Sequence, residues 1–275
     1  MKRRKKVSVI SRIAALFITV IFALPLYIAV VNAFKPYEDI VMKPLAPPSA
    51  FTLQNFVSAW NSAGIPRLYL NSILITGCSL VLLILVASMA AYIVARKNTK
   101  FYNGVYVFFL MGLMIPVQMI LIPSIKTLAF FHLLRTMPGM ILFNCAVYFS
   151  VSFFLYVEFF KTLPTSLEES AKIDGASRFV IFRSILLPLL KPCTSTVIIF
   201  SGMWIWNDFL PPLYILDAKT GSTITTGIYR AIGQYTTNWD IVFGAVMWAS
   251  VPVVILYLCM QKQFRHGMVA GAVKG

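Results

Sequence analysis

The sequence is short of charged residues, and of acidic ones above all. Only 9 of its 275 residues are Asp or Glu. Charged residues make up 12% of the chain, about half the fraction of a typical soluble domain. Hydrophobic residues make up 59%, and the mean hydropathy is +0.81. A water-soluble core cannot bury so many apolar side chains, so the composition excludes a soluble domain and indicates an integral membrane protein.

Residues that serve catalysis and metal binding are scarce as well. The chain has two histidines, His132 and His266, and both fall outside the long apolar stretches. Its four cysteines form no C-x-x-C pair, and no phosphate-binding G-x-x-x-x-G-K-(S/T) sequence occurs. We therefore expect no enzyme activity, no metal site and no cofactor in this chain.

Six stretches are nearly free of charge and long enough to cross a bilayer as helices, which takes roughly 20 apolar residues. They are residues 13–34, 68–95, 101–125, 136–157, 192–216 and 241–261. The first follows a basic start like that of a signal peptide, but its apolar run exceeds the roughly 7–15 residues of such a peptide. We interpret it as a retained helix. The sequence thus predicts an all-α, polytopic membrane protein in which residues 1–275 form one domain with six transmembrane helices.

The basic residues indicate how these helices are oriented. The net charge of +15 could suggest a nucleic-acid partner, but the Lys and Arg residues are distributed by side of the membrane. With the N-terminus inside, inner segments hold 17 of them and outer loops hold 7. Cytoplasmic loops carry such an excess, so the distribution predicts that both termini are cytoplasmic. It gives no reason to expect nucleic acid.

Two outer connections are longer than a turn requires. In residues 35–67, an apolar stripe at helical spacing follows Thr52, a plausible N-cap; it comprises Leu53, Phe56, Val57 and Trp60. This pattern predicts a short helix on the outer membrane surface. The other connection, residues 217–240, is too polar to span the membrane and contains Tyr229, Tyr235 and Trp239. We expect it to be an exposed loop.

The inner connection at residues 159–191 has a pattern of its own. Thr165 with Glu168, or equally Ser166 with Glu169, could form a capping box that begins a helix. Gly175 can end that helix because it tolerates a positive φ. Ser177 can cap a second helix, which would then lead to the fifth span. Local chemistry alone leaves two interpretations open, an ordinary amphipathic connector or a helix-turn-helix with a function.

The spacing within this loop resembles the EAA loop of bacterial ATP-binding cassette (ABC) importer permeases, E-A-A-x3-G-x9-I-x-L-P. Glu169-Ser170-Ala171, Gly175 and Ile185-x-Leu187-Pro188 match it, with Ser170 as the departure. The chain is also similar, in segment order, to the carbohydrate-uptake permeases typified by the maltose importer. The segments are LPLYIAVVNAFK (24–35), Ile-Pro (122–123), EESAKIDGAS (168–177), WNDFLPPL (206–213) and GAVKG (271–275).

The resemblance implies a permease subunit in a bacterial cytoplasmic membrane. Its partners would be a second, homologous permease subunit, a cytoplasmic ABC ATPase dimer that uses ATP and Mg, an extracytoplasmic sugar-binding protein and membrane lipid. The loop would couple ATP hydrolysis to the membrane helices through Glu168, Glu169, Ala171, Asp174, Gly175, Ile185, Leu187 and Pro188. Glu168, Glu169 and Asp174 would contact basic groups of the ATPase, although Glu169 could instead merely cap its own helix. The outer loop 217–240 would contact the binding protein, and deletion of 222–236 should impair the delivery of sugar without abolishing assembly.

Polar residues within the spans are candidates for the path of the transported solute. They are Asn71, Gln118, Asn144, Asn207 and Asp208. Each could instead join helices by hydrogen bonds, and Asp208 could simply mark a helix end. A non-sugar solute such as a glycerol-phosphate compound is an alternative cargo. An ion-coupled secondary transporter is less favoured, because it needs ionisable residues at mid-membrane and Asp208 is the one acid in the spans.

Overall fold

The computed structural model describes residues 9–97, 99–217, 221–234 and 238–272, and these form helices joined by short connections with no β-strand among them. The predicted all-α class is therefore confirmed. Three features of the sequence lie outside the described residues. These are the basic residues 2–6, Tyr235 and the last three residues of the GAVKG segment.

The helices of the first half of the chain are bounded as follows. They are α1 (Val9–Ala33), α2 (Tyr37–Met42), α3 (Gln54–Ser62), α4 (Ile65–Arg96), α5 (Lys100–Gly112), α6 (Val117–Phe130) and α7 (Met137–Thr162). The second half contains α8 (Ser166–Ile173), α9 (Arg178–Val180), a π-helix (Ile181–Leu186), α10 (Leu187–Leu189), α11 (Lys191–Asn207), α12 (Leu210–Ile215), α13 (Ile224–Gln234) and α14 (Trp239–Ala272).

Three helices within the described residues are long and apolar enough to cross a membrane, namely α1 from Arg12, α4 and α7. Two further spans are possible if bent pairs of helices are counted. The axes of α5 and α6 meet at 104°, and the helical segment Arg178–Leu189 meets α11 at 71°. The described apolar part of the sixth predicted span is shorter, Trp239–Ile255. A count of six spans stays a prediction.

The fifth predicted span, residues 192–216, is not one continuous helix. The helix α11 ends at Asn207, Asp208 takes an extended conformation with ψ 139°, and α12 begins only at Leu210. Paired prolines at the first positions of α12 fit a new helix start, because the missing N–H of proline is not needed there. The span is therefore broken beside the one acid that it contains.

The chain divides into two compact units, and residues 1–68 with 227–254 form the first. Its connection after α1 is held by buried polar groups. The ammonium of Lys35 donates to the carbonyl oxygens of Lys43 (2.8 Å) and Pro44 (3.2 Å) and to Oδ1 of Asn32 (3.1 Å). Ser49 donates its amide and hydroxyl to Oδ2 of Asp39, which lowers the pKa of that carboxyl. This connection is thus an ordered structure.

The helix predicted after Thr52 is present as α3, and the Thr52 hydroxyl accepts from the Gln54 amide at 3.1 Å. Its buried face, however, is not the apolar stripe but the side carrying Asn55 and Ala59. A Cβ added at Gly244 would collide with the Asn55 carbonyl oxygen, so the backbones of α3 and α14 are in close contact there. Leu53 and Val57 of the stripe stay exposed, while the rings of Phe56 and Trp60 contact Trp248 of α14.

The second unit consists of residues 69–226 with 255–275. Within it α7 packs against α5, α6, α11 and α12. The fully buried aromatic side chains of α7, Phe153, Tyr156 and Phe160, form a core with Leu186 and Val197. This core extends from the membrane-length part of α7 to the π-helix that follows the loop. The loop is therefore packed onto the helix bundle of its own unit.

The polar connection 217–240 contains a helix, α13, that hydropathy did not predict. Its start is buried, with Ile224 and Thr226 at 0% exposure. The expectation of an exposed loop is thus wrong for its central part. The polarity of this connection predicted exposure to water. Its buried threonines instead form hydrogen bonds among themselves, so they can lie away from water.

Candidate functional site

The loop after α7 folds as a short helix, a tight turn and a second helix. The first helix, α8, ends at Ile173, and Gly175 follows with φ +81°. Its amide donates to the Lys172 carbonyl oxygen at 3.0 Å. The Ser177 hydroxyl accepts from the Val180 amide at 3.4 Å and caps the second helix. The prediction that Gly175 ends one helix and Ser177 starts another is confirmed.

Neither predicted capping box forms, and this changes the role of Glu168. Thr165 is the N-cap residue of α8, but its side chain makes no capping hydrogen bond. Glu168 is 4% exposed and points into the unit. Its Oε1 accepts from Nε of Arg96 at 2.6 Å, and its Oε2 accepts from the Tyr92 hydroxyl at 2.8 Å. The prediction that Glu168 faces a partner protein is corrected by these contacts.

Arg96 joins three helix ends. Besides Glu168 in α8, its guanidinium donates to the carbonyl oxygens of Phe160 (3.0 Å) and Leu163 (3.2 Å) at the end of α7. Arg96 itself is the last residue of α4. It satisfies carbonyl groups that a helix end leaves without an intrahelical donor. Sequence reasoning missed both Arg96 and Tyr92, because their partner lies more than 70 residues away and no local spacing signals it.

The remaining coupling candidates divide by exposure. Glu169, Asp174, Gly175 and Pro188 are exposed, while Ala171 is buried and Ile185 and Leu187 are half-buried. Leu186 between them is 0% exposed and belongs to the core of the second unit. Residues 181–186 form a π-helix, in which the Leu187 amide donates to the Phe182 carbonyl oxygen. The loop thus presents acidic residues outward and is anchored inward by Ala171 and Leu186.

Three of the predicted path residues meet in one cavity of about 530 Å³, here called the α11 cavity. Gln118, Asn207 and Asp208 line it together with Tyr148 and Trp204. The rings of Tyr148 and Trp204 are stacked, with centroids 5.7 Å apart and planes inclined by 23°. The Tyr148 hydroxyl is 3.4 Å from Oδ2 of Asp208. Aromatic faces beside amide and carboxylate groups are suited to binding a polyol.

The other two path candidates lie elsewhere and hold helices together. Asn71 donates to the Ser222 carbonyl oxygen at 2.9 Å, and the neighbouring Ser72 hydroxyl accepts from the Ile224 amide. Asn144 is fully buried and donates to the Ser79 hydroxyl at 3.2 Å. The structure therefore brings Gln118, Asn207 and Asp208 together but not Asn71 or Asn144. Tyr148 and Trp204 complete the set.

The break after α11 is itself stabilised by polar contacts. The Thr225 hydroxyl donates to the Asp208 carbonyl oxygen at 2.7 Å, and Oδ1 of Asp208 accepts from the Phe209 amide at 3.1 Å. Irregular backbone at membrane depth needs such partners, and it occurs where it lines a cavity. Asp208 therefore ends a helix and lines the α11 cavity at the same time. Among the described residues, no group of three His, Cys, Asp or Glu side chains could hold a metal ion.

Membrane-length helices, a cavity with amide and carboxylate groups at the end of α11 and an anchored helical loop before its start are the features of the transmembrane subunit of a transporter. Residues 83–270 match the family described as binding-protein-dependent transport system inner membrane component, and the chain belongs to that family. Such a subunit is a multi-pass membrane protein rather than an enzyme. The predicted membership of the ABC importer permeases is confirmed.

Relatives of known name agree with this assignment over nearly the full chain. The melibiose/raffinose/stachyose import permease protein MelC of Bacillus subtilis is 34% identical over 99% of both chains. The probable starch degradation products transport system permease protein AmyC of Thermoanaerobacterium thermosulfurigenes is 34% identical over 91% of both. The multiple sugar-binding transport system permease protein MsmG of Streptococcus mutans is 32% identical over both full chains.

Solved structures share the fold. A chain of a bacterial ABC transporter that imports the acidic polysaccharide alginate matches with a TM-score of 0.79 and 18% identity, covering 94% of this chain and 99% of that one. A second structure, of an alginate ABC transporter in complex with an alginate pentasaccharide-bound periplasmic protein, matches with a TM-score of 0.66 and 19% identity over 92% and 93% of the two chains.

Proposed function

We propose that this chain is the permease subunit of an ATP-driven ABC importer that moves a sugar across the membrane by alternating access. The observation that carries the proposal is the loop built on Glu169, Gly175 and Pro188, which has the family's spacing and folds as a helix-turn-helix. The names of MelC, AmyC and MsmG, all sugar or starch-product permeases, support a carbohydrate as the solute.

In this proposal α8 is the contact with a separate cytoplasmic ATPase that uses ATP and Mg. Its outward side carries the exposed acids Glu169 and Asp174 and the exposed apolar side chains of Leu167 and Ile173. Closure of an ATPase dimer would move α8, and the pair of Glu168 with Arg96 would transmit that motion to the ends of α4 and α7. The loop side of the chain is then cytoplasmic, as the basic residues predict.

The α11 cavity is proposed as part of the sugar path. Stacked Tyr148 and Trp204 would contact a pyranose face, while Gln118, Asn207 and Asp208 would bind hydroxyl groups. The cavity lies beside a broken helix, and discontinuous helices are where transporters commonly bind substrate. Asn71 and Asn144 are left out of this proposal, since both hold helices together.

The remaining partners follow from surfaces that this chain leaves open. Every side chain of α1 from Arg12 to Tyr27 is exposed, which suits contact with lipid and with a second, homologous permease subunit. The exposed Tyr229 on α13 is a candidate contact for an extracytoplasmic sugar-binding protein. The solved alginate transporter complex, with its bound periplasmic protein, supports a partner of that kind.

The test is reconstitution of the chain with its co-expressed permease, ATPase and binding-protein partners in proteoliposomes. We expect ATP-dependent uptake of a carbohydrate, identified first by binding of a carbohydrate panel to the isolated binding protein. Uptake should stop when the ATPase is inactivated and should not respond to a proton or sodium gradient. Uptake driven by either gradient without ATP, or uptake of glycerol phosphate in preference to every sugar, would refute the proposal.

A further inference from the structure

A second cavity, of about 460 Å³, lies between the end of α4, the start of α5 and the loop helices. We call it the basic cavity, because its polar wall carries Arg96, Lys97, Lys172 and Arg178 against the single carboxylate of Glu168. Arg96 and Glu168 neutralise each other at 2.6 Å. The three other cations are exposed and leave the cavity strongly positive. An anion is therefore the ligand that this wall favours.

Two of these cations are available to a ligand. Within the described residues, no hydrogen bond or ion pair links the Lys172 ammonium or the Arg178 guanidinium to another side chain. The third is Lys97, whose ammonium donates to the Tyr102 hydroxyl at 3.0 Å and lies 4.9 Å from the centroid of the Tyr102 ring. Lys172 precedes Gly175 and Arg178 follows it. A ligand held by both would therefore bridge the turn between α8 and α9.

The opposite wall of the cavity is apolar and continues along a membrane-spanning helix. Met89 and Ile93 lie four residues apart on one face of α4, and Lys97 follows directly after the helix end, where its amide donates to the Ile93 carbonyl oxygen. At 1.5 Å per residue, Met89 and Lys97 are about 12 Å apart along the helix axis. Met89 is 49% exposed, Ile93 is 47% exposed and Phe179 across the cavity is 62% exposed. Exposed apolar side chains in this position suit contact with hydrocarbon.

We propose that the basic cavity binds an anionic phospholipid of the cytoplasmic leaflet. Its phosphate would lie between Lys97, Lys172 and Arg178, and one acyl chain would lie along Met89 and Ile93 toward the membrane interior. Basic pockets at the cytoplasmic ends of transmembrane helices bind such headgroups. A free phosphate would use only the polar wall and would leave the apolar stripe in water. The leaflet assignment rests on the orientation given in the proposed function; the binding itself does not depend on the transported solute.

A bound lipid of this kind would fix the end of α4 against both sides of the Gly175 turn. The loop would then be held by the Arg96–Glu168 pair on one side and by the lipid phosphate on the other. Because Lys172 and Arg178 both line the cavity, loss of the lipid would leave their positive charges there without an anion. Bound anionic lipid would therefore restrain the loop.

Lipid binding can be measured without any transport assay. The full complex is placed in nanodiscs of phosphatidylcholine with or without phosphatidylglycerol, transferred to mild detergent and examined by native mass spectrometry for retained lipid. We expect retained phosphatidylglycerol in the parent complex. Arg178→Gln should reduce it about fivefold, since each basic group near an anionic surface contributes about 1 kcal/mol. Lys172→Gln combined with Arg178→Gln should nearly abolish it.

Two further variants separate this site from general surface charge. Lys191→Gln removes an exposed basic residue of the same inner segment that does not line the cavity, and should change lipid retention less than twofold. Met89→Trp fills the apolar wall without altering charge and should release the lipid. Equal loss of lipid in Lys191→Gln and Arg178→Gln would overturn the site, and so would full retention in Met89→Trp.

The same preparation tests whether the cavity binds a soluble anion instead of a lipid. Inorganic phosphate is added to the complex in pure phosphatidylcholine nanodiscs, and thermal unfolding is followed. We expect stabilisation by phosphatidylglycerol and none by phosphate. If phosphate stabilised the parent complex and lost that effect in Arg178→Gln, the cavity would be a soluble-anion site and the lipid assignment would fall. None of these readouts depends on which solute is transported.

Discussion

Nε of Arg96, at the last residue of α4, donates to Oε1 of Glu168 in α8 at 2.6 Å, with 15% and 5% of the two side chains exposed. Breaking a buried pair leaves one uncompensated charge, which costs about 3 kcal/mol or more. Glu168→Ala should therefore lower the thermal stability of the purified complex and reduce sugar uptake per ATP. Differential scanning calorimetry and parallel uptake and ATPase assays measure both effects.

The neighbouring acid provides the control for this pair. Glu169 is exposed, so Glu169→Ala should change the free energy of unfolding by less than about 0.5 kcal/mol. In a double-mutant cycle, Arg96→Ala with Glu168→Ala should cost less than the sum of the single changes, since neither charge then remains buried alone. Strict additivity would mean that the two side chains do not stabilise each other.

Gly175 ends α8 at φ +81°, and a Cβ built there meets no atom within 4 Å. Substitution therefore tests backbone conformation alone. A β-branched residue is strained in the left-handed region by about 1–2 kcal/mol, whereas Asn tolerates it. Gly175→Val should uncouple ATP hydrolysis from sugar uptake while the protein still inserts, and Gly175→Asn should stay near the parent. The measurement is the amount of sugar taken up per ATP hydrolysed in proteoliposomes, compared between the two variants and the parent.

Normal transport by Gly175→Val would show that the turn does not transmit motion. Equal loss of coupling in the Val and Asn variants would instead point to the side chain itself. Such an equal loss would exclude the backbone explanation, because Asn adopts the required φ at little cost. Insertion is checked in both variants by the yield of folded complex on size exclusion.

Part of the structure of the loop after α7 could be predicted from its sequence. Local signals are reliable there, because Gly175 and Ser177 act on their own backbone neighbours, and both predictions are confirmed. The role of Glu168 could not be predicted, since a capping residue and a buried ion-pair partner have the same local pattern. Its partner Arg96 is 72 residues away. The choice depends on tertiary packing that spacing does not encode.

Hydropathy likewise predicted the apolar stretches but not their breaks. The span 192–216 has the composition of a continuous helix, yet it stops at Asn207 because Pro211 and Pro212 favour a new helix start. The polar segment around Thr226 was expected to be an exposed loop. Its threonines are buried because they satisfy one another and the Asp208 carbonyl, a compensation that polarity alone does not indicate.

Trp204 stacks on Tyr148 in the α11 cavity, and its loss tests the proposed sugar path. Trp204→Leu removes the aromatic face and should raise the KM for uptake, measured with sugar-loaded binding protein, by roughly tenfold, about 1.4 kcal/mol, which is within the range for an aromatic contact. The matched control is Trp206→Leu on the same helix, since Trp206 lies outside that cavity and near Tyr69 instead.

The outcome for these two tryptophans separates a path from a packing role. A rise in KM for Trp204→Leu alone, with similar yields of both complexes, supports the sugar path. If both variants raised KM equally, the effect would come from α11 packing and the α11 cavity would lose its assigned role.

Lys35 is fully buried and donates to two carbonyl groups of the connection after α1. Lys35→Met keeps the length of the side chain but leaves those carbonyls without a donor, which costs about 1–3 kcal/mol. The variant should expose residues 35–53 to proteolysis and faster amide exchange. Lys43→Met is the control, since the Lys43 side chain is exposed and only its carbonyl is used. Equal protection in both variants would contradict the role of the Lys35 ammonium.

The sequence-based expectation that deletion of 222–236 impairs sugar delivery but leaves assembly intact is changed by the structure. Ser222 and Ile224 bind Asn71 and Ser72 of α4, so deletion of 222–236 should prevent assembly of the complex. The sharper test of contact with the binding protein is Tyr229→Ala, at a side chain that is 55% exposed. We expect normal assembly and a weaker response of ATP hydrolysis to sugar-loaded binding protein. An unchanged response would place that contact elsewhere.

The π-helix between α9 and α10 has a geometric consequence. Its Leu187 amide donates to the carbonyl five residues back, at Phe182, so this turn holds one residue more than an α-helical turn. One residue corresponds to about 100° of rotation around a helix axis. The number of residues between Gly175 and Pro188 therefore sets the angle at which α8 is presented relative to α11, besides the distance between them. Deleting one residue there would keep all the remaining side chains but rotate α8 relative to α11.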